Sequence, residues 1–310
     1  MKRQYRGIIA GLAIVAAATL ALTGCASSGT LAGGGSTSAA GKTSVVVGSA
    51  AFPENETLAY VYGGALAAAG DTVTYKPNIG QRAAYFPALQ NGEIDVIPEY
   101  AGSILSFLDK AANAKSGDDV KTALDAALPK NLTALDFSAA ADSDSMNVTA
   151  DYAKANNLTS IADLANVSGA VIVAANPEFA TRPDGLPGLQ SVYGLTNLTF
   201  QAINDGGGPA TAKALQDGTV QVADIYSTTP SITDDKFVTL TDPKNLFASQ
   251  QVVPIVTASK ASKISAVLNK VSAKLTTKDL LAFNKRTSGD EKADPKTVAA
   301  DWLKANGFTK

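Results

Sequence analysis

Residues 78–103, NIGQRAAYFPALQNGEIDVIPEYAGS, return 126 positions later as NDGGGPATAKALQDGTVQVADIYSTT at 204–229. Nine of the 26 positions are identical without a gap: Asn78/Asn204, Gly80/Gly206, Ala84/Ala210, Ala88/Ala214, Leu89/Leu215, Gln90/Gln216, Gly92/Gly218, Val96/Val222 and Tyr100/Tyr226. In each copy an N-x-G turn opens a helix ending in Ala-Leu-Gln. A glycine then stops the helix, and a short apolar strand follows. Each strand delivers a tyrosine into a run of small residues, Ala-Gly-Ser or Ser-Thr-Thr. Ligands of open α/β sheets sit beyond the carboxyl ends of the strands. The repeat therefore predicts two lobes and a cleft between them lined by Tyr100 and Tyr226. The alternative is two α/β units that have drifted into similar patterns. Unbroken register through the turn, the helix stop and the tyrosine argues against it.

Around the repeat the same alternation of strand and helix predicts α/β layers. In the first lobe, strands are expected at 45–49, 72–75 and 94–97. Helices are expected from Phe52-Pro53-Glu54 to about residue 69, at 82–90 and at 118–128. In the second, a helix start falls at 159–163, strands at 170–174 and 198–201, and a helix at 188–193. Val46-Val47 fall 126 positions before Ile172-Val173, so the lobes correspond from their first strands. One more strand is expected at 251–257, followed by three amphipathic segments near 264–275, 279–284 and 297–306.

The first 25 residues read as an export signal. Lys2, Arg3 and Arg6 precede an apolar run from residue 7 to 22, too short for a comfortable membrane span, and Leu22-Thr23-Gly24-Cys25 closes it. That ending resembles a bacterial lipoprotein box, which implies cleavage before Cys25 and a lipid anchor on its sulfur. Residues 26–42 are Gly/Ser/Thr/Ala-rich and read as a flexible tether. GGGSTSAAGKTS within it fails as a phosphate loop, because the spacing is one residue too long and no strand precedes it.

Composition narrows the function. Cys25 is the only cysteine and histidine is absent, which removes internal disulfides, thiol or His metal sites, and Ser-His or Cys-His catalysis. No metal and no cofactor is expected. With 45% hydrophobic and 17% charged residues the chain is ordinarily globular, and a net charge of −2 gives no sign of a nucleic-acid partner. An enzyme would need an acid–base pair made of carboxyl groups, for which Glu99 beside Tyr100 is the best candidate.

The segments GSAAFPENE, NIGQRAAYFPAL, NGEIDVIPEYAGS, PEFATRPDGLPGLQSVYGL and DIYST resemble the osmoprotectant (glycine betaine, choline, carnitine) substrate-binding lipoproteins of ABC importers, over nearly the whole mature chain. The resemblance implies a two-lobed α/β fold of the periplasmic-binding-protein type (type II), with two crossovers. Lobe 1 would be 43–138 plus 249–310, and lobe 2 would be 139–248. It implies a monomer that binds a small-molecule ligand and hands it to an ABC permease with its ATPase subunits, without chemistry of its own. Residue by residue, Tyr100 and Tyr226 match walls of an aromatic cage. Ser103 and Arg182 match contacts to a ligand carboxylate. Three positions depart from the family: Ala50 replaces a lysine, Ser145 stands at or near a cage tyrosine, and Gln250 stands at another. Asp142 and Asp144 enter the same region, and Phe52 either faces the cleft or staples onto the following helix. The ligand is therefore a quaternary ammonium held by rings and carboxylates, or another polar solute such as an amine, amino acid or polyol, taken up or sensed.

Overall fold

The computed structural model describes residues 42–310; the signal segment, Cys25 and the tether up to residue 41 lie outside the described residues. Two five-stranded sheets carry the chain. The first contains β1 (Ser44–Gly48), β2 (Thr72–Lys76), β3 (Val96–Tyr100), β4 (Leu132–Ala134) and, from far along the sequence, β10 (Val252–Thr257), in the order β2-β1-β3-β10-β4. The second contains β5 (Met146–Val148), β6 (Val171–Ala175), β7 (Leu198–Ala202), β8 (Val222–Asp224) and β9 (Val238–Thr239), in the order β7-β6-β8-β5-β9. The two orders are one pattern. In each, a single antiparallel strand fills the fourth place, β10 in the first sheet and β5 in the second. The chain leaves the first sheet after β4 and returns to it at β10, so it crosses between the sheets twice.

The repeat is visible in the register. Val47 pairs with Val96 in the first sheet, and Val173 pairs with Val222 in the second, each residue 126 positions on. The same offset relates two side-chain buttresses: the Val46 N–H donates to Asp95 Oδ2 at 2.8 Å, and the Ile172 N–H donates to Gln221 Oε1 at 3.0 Å.

Helices run as α1 (Pro53–Ala68), α2 (Arg82–Gln90), α3 (Ala101–Leu108), α4 (Gly117–Ala127), α5 (Ala150–Asn156), α6 (Leu186–Tyr193), α7 (Pro209–Gln216), α8 (Ser231–Asp234), α9 (Ala258–Ser272), α10 (Thr277–Thr287) and α11 (Pro295–Ala305). Successive residues of a strand point to opposite faces. Val96, Val252 and Val256 accordingly join Leu58, Tyr62, Ile264 and Trp302 on one face of the first sheet. Ile97, Val253 and Ile255 join Phe86, Leu89, Ile104 and Leu124 on the other. Both faces are covered, which is why the strands read as continuous apolar runs. Each fully buried Leu or Ile of these clusters contributes about 1.5–3 kcal/mol.

Two local expectations move. The third strand begins at Val96, not at 94, and extends through Pro98 to Tyr100. Pro98 lies directly opposite Pro254 of β10. Two residues without N–H groups can face each other only at a non-hydrogen-bonded pair, where neither donor is needed. The small residues after Tyr100 form α3, which starts at once; those after Tyr226 form a turn before α8. Glycine is required where the second copy approaches its own strand. Gly207 has φ of +70°, and a Cβ there would lie 2.9 Å from the Asp224 carbonyl oxygen and the Ile225 Cα.

Candidate functional site

Both strand ends open onto one narrow cavity of about 40 Å³. Tyr100 closes β3, and Tyr226 stands two residues past the end of β8. Phe52, the residue before α1, lies between them, with ring centroids 6.0 Å from Tyr100 and 5.9 Å from Tyr226. Ser103 sits in the first turn of α3. Asp142 and Asp144 come from the first crossover. Arg182 follows a 3-10 turn at Pro177–Ala180. All seven line the cavity.

Gln250 does not line it. The residue is 1% exposed and lies behind α3, where its Oε1 accepts the Ser103 N–H at 2.9 Å. The first N–H groups of a helix lack partners within it, and Gln250 serves one of them. Ser145 is likewise turned inward, its hydroxyl donating to the Ile225 carbonyl at 2.5 Å. Ala50, at the position of the family's lysine, is on the wall.

The repeat pattern did not expose Arg82, Tyr85 and Glu178, which also face the cavity. Arg82 opens α2 and grips Glu99 with Nε at 3.0 Å and Nη2 at 2.9 Å. The Tyr85 hydroxyl donates to the same carboxylate at 2.6 Å. Both oxygens of Glu99 are thereby engaged by Arg82 and Tyr85. On the facing wall, Arg182 Nη2 meets Asp144 Oδ1 at 2.8 Å and its guanidinium lies 5.3 Å from the Phe179 ring centre. Its Nε is buried, 3.5 Å from Asp184 Oδ1 but without a hydrogen-bond partner. A sequence signal for Arg82 existed, since Gln-Arg stands at the start of the helix where the second copy has Gly-Gly.

Burial alone would raise Asp144, but the Arg182 guanidinium and the hydrogen bond from Asp224 together override it and hold the carboxyl below its usual range. Asp224, sharing that site, is pushed well up by burial and by the charge of Asp144. Arg182 remains charged: burial opposes it, and Asp144, together with Asp184 and Asp224, more than compensates. The wall thus carries four carboxyl groups (Glu99, Asp142, Asp144 and Glu178) and two guanidinium groups, which are paired with Glu99 and Asp144. The aromatic faces between these paired charges favour a cation.

Two lobes around a cavity lined by rings and paired charges define a solute-binding protein. Residues 43–305 match the OpuAC family, the substrate binding domain of ABC-type glycine betaine transport systems. The chain belongs to that family, whose members bind solutes for ABC transporters and are not enzymes. It is 31% identical over 281 residues to the glycine betaine-binding protein YehZ of Escherichia coli K12, covering 86% of this chain and 92% of that one. The apo structure of YehZ from that species superposes with a TM-score of 0.62 at 28% identity, over 86% of this chain and 99% of that one. A solved glycine betaine/carnitine/choline ABC transporter structure gives a TM-score of 0.68 at 22% identity over 85% and 99%, a likeness of fold. No helix among the described residues is long and apolar enough to cross a membrane.

Proposed function

We propose that the protein captures a quaternary ammonium solute, such as glycine betaine or choline, between lobes 43–138 plus 249–310 and 139–248, and delivers it to an ABC permease. The observation that carries this reading is the series Tyr100–Phe52–Tyr226. A quaternary ammonium donates no hydrogen bond, so ring faces hold it, at about 0.5–2 kcal/mol per contact. Arg182 is the guanidinium that suits a ligand carboxylate, because its buried Nε lacks a hydrogen-bond partner while Arg82 is engaged bidentately by Glu99. Ser103 lies within the same wall. Closure of the lobes buries both ends of the ligand together. The protein works outside the cytoplasmic membrane as a monomer tethered by lipid on Cys25.

Isothermal titration of glycine betaine, choline and carnitine, beside amino acids, polyamines and sugars, tests the reading. Quaternary ammonium compounds should bind and the rest should not. Tight binding of an amino acid or sugar with none of choline or betaine would overturn it.

A further inference from the structure

The cleft contains a side-chain cluster that ligand contact alone does not explain. Glu54, in the first turn of α1, is 2% exposed. It accepts from the Tyr100 hydroxyl at 2.6 Å, from Thr228 Oγ1 at 2.6 Å and from Asn284 Nδ2 at 2.5 Å. Asn284, on α10, also donates to the Thr228 carbonyl at 3.1 Å and hydroxyl at 2.9 Å. Thr228 belongs to the turn after Tyr226, on the second-sheet side. Its N–H and the Ser227 hydroxyl donate to Asp142 Oδ1 at 3.0 and 3.1 Å. Two carboxyl groups therefore grip one turn. An acidic residue at a helix N-terminus ordinarily needs no explanation beyond the helix dipole. Glu54 differs, because its three donors stand 46, 174 and 230 positions away in sequence.

We infer that Glu54 is a positioning residue that clasps the two lobes through Thr228 and Asn284 and, by the same carboxyl group, fixes the ring of Tyr100 in the ligand wall. The inference rests on the reading of the cleft as a solute site that closes. It gives closure and ring placement a common cause: a ligand seated against Tyr100 is seated against a residue whose hydroxyl is tied to the lobe contact.

The clasp should respond to pH. Burial raises the Glu54 carboxyl, with the hydrogen bonds from Thr228, Tyr100 and Asn284 opposing. Burial and the charge of Glu54 push Asp142 well up. The groups facing this pair are Tyr100 from β3, Ser227 and Thr228 from the second lobe's turn, and Asn284 from α10. Among the described residues no lysine or arginine bonds to either carboxyl. Both also line a second, open cavity of about 460 Å³, which shares the Phe52–Tyr226 wall with the first and gives protons a path from solvent. Opening the cleft hydrates the pair and lets both pKa values fall back. A group whose pKa is higher in the closed form supports closure at low pH. That support is lost as pH rises through the closed-form pKa. Affinity should therefore fall as pH climbs above the ordinary carboxyl range, by at most about tenfold per unit for one proton. The Asp144–Asp224 pair stays together on the second-sheet side and does not report closure.

The test uses the full chain, with Glu54→Gln and Thr228→Val compared with wild type. Titration with glycine betaine and choline from pH 5 to 8.5 is combined with hydrogen exchange of residues 226–230, and a thermal melt checks that each variant is folded. Glu54→Gln imitates the protonated group, and should keep the affinity while flattening the pH profile. Thr228→Val should bind about fivefold or more weakly at pH 5 and exchange faster at 226–230. A wild-type pH profile in Glu54→Gln, or wild-type binding and exchange in Thr228→Val, overturns the clasp and leaves the solute reading standing. If wild type binds neither solute, exchange alone decides. Protection at 226–230 that falls with pH and is lost in Thr228→Val supports the clasp while the solute reading fails; protection unchanged in the variant sinks the clasp as well.

Discussion

Tyr100 and Tyr226 stand 126 positions apart at the ends of equivalent strands, yet they are held differently. Tyr100 is buried, starts a helix, and donates its hydroxyl to the carboxyl of Glu54. Tyr226 is half-buried, precedes a turn, and accepts from the neutral amide of Asn176 at 2.8 Å. Burial and the charge of Glu54 push the Tyr100 phenol well up; burial and then the charges of Asp144 and Asp224 do the same for Tyr226. The walls behind them differ as well. The first lobe places Arg82, Tyr85 and Glu99 where the second, 126 positions on, has Gly208, Thr211 and Ile225. The second lobe builds its own charge cluster from Arg182, Asp144 and Asp224. The two copies share the scaffold and the strand-end tyrosine, and each lobe carries its own electrostatics.

The largest test of that difference is the arginine pair. Arg82→Ala strands Glu99, which is 1% exposed, and should lower stability by about 3–5 kcal/mol in urea unfolding, the usual result of removing one partner of a buried ion pair. Arg182→Ala should lower it less, because Asp144 can share a proton with Asp224. It should weaken betaine binding far more than choline binding, since choline has no carboxylate. Equal stability losses in the two variants would erase the contrast between the walls.

The tyrosines come next. Alanine at either position should weaken a quaternary ammonium by about 1–2 kcal/mol, roughly five- to thirtyfold, in titration. From sequence, phenylalanine should be tolerated equally at both. The structure separates them: Tyr100→Phe takes one of three donors from a buried carboxyl and should lower stability by about 1–2 kcal/mol. Tyr226→Phe loses a bond to a neutral amide and should stay nearer about 0.5 kcal/mol. Indistinguishable unfolding curves for the two would show that Glu54 does not depend on the Tyr100 hydroxyl.

A smaller effect concerns the second lobe alone. The Asp224 pKa is raised in the folded protein, so its contribution favours folding at low pH and is lost as pH rises through that value. Asp224→Asn should melt with wild type near pH 4 and gain on it toward pH 8. The opposite trend would mean that Asp224 is the charged member of its pair. The smallest effect should be the same in both lobes. Lys121 on α4 and Lys213 on α7 each make an exposed i,i+4 pair, with Asp125 and Asp217. Alanine at either should change stability by less than about 0.5 kcal/mol.

What the sequence determined by itself was local or periodic. Gly92 and Gly218 take positive φ after their helices, the Ala-Leu-Gln helices end where the repeat placed their ends, and each tyrosine stands at or just past its strand's end. Phe52 left two options open in sequence, and it lies on the cavity wall. The helix after Tyr100 escaped notice because Ala-Gly-Ser carries no amphipathic period and glycine disfavours helix. Only the tertiary structure decided which partner each polar group takes. Gln250 caps α3 from 147 positions away, and Glu54 meets Thr228 from 174. Such pairings are fixed by where the crossovers return the chain, placing β10 between β3 and β4 and β5 between β8 and β9. A periodic pattern records which face of an element is apolar; it holds no information about which distant element will supply a donor to a carboxyl group buried there.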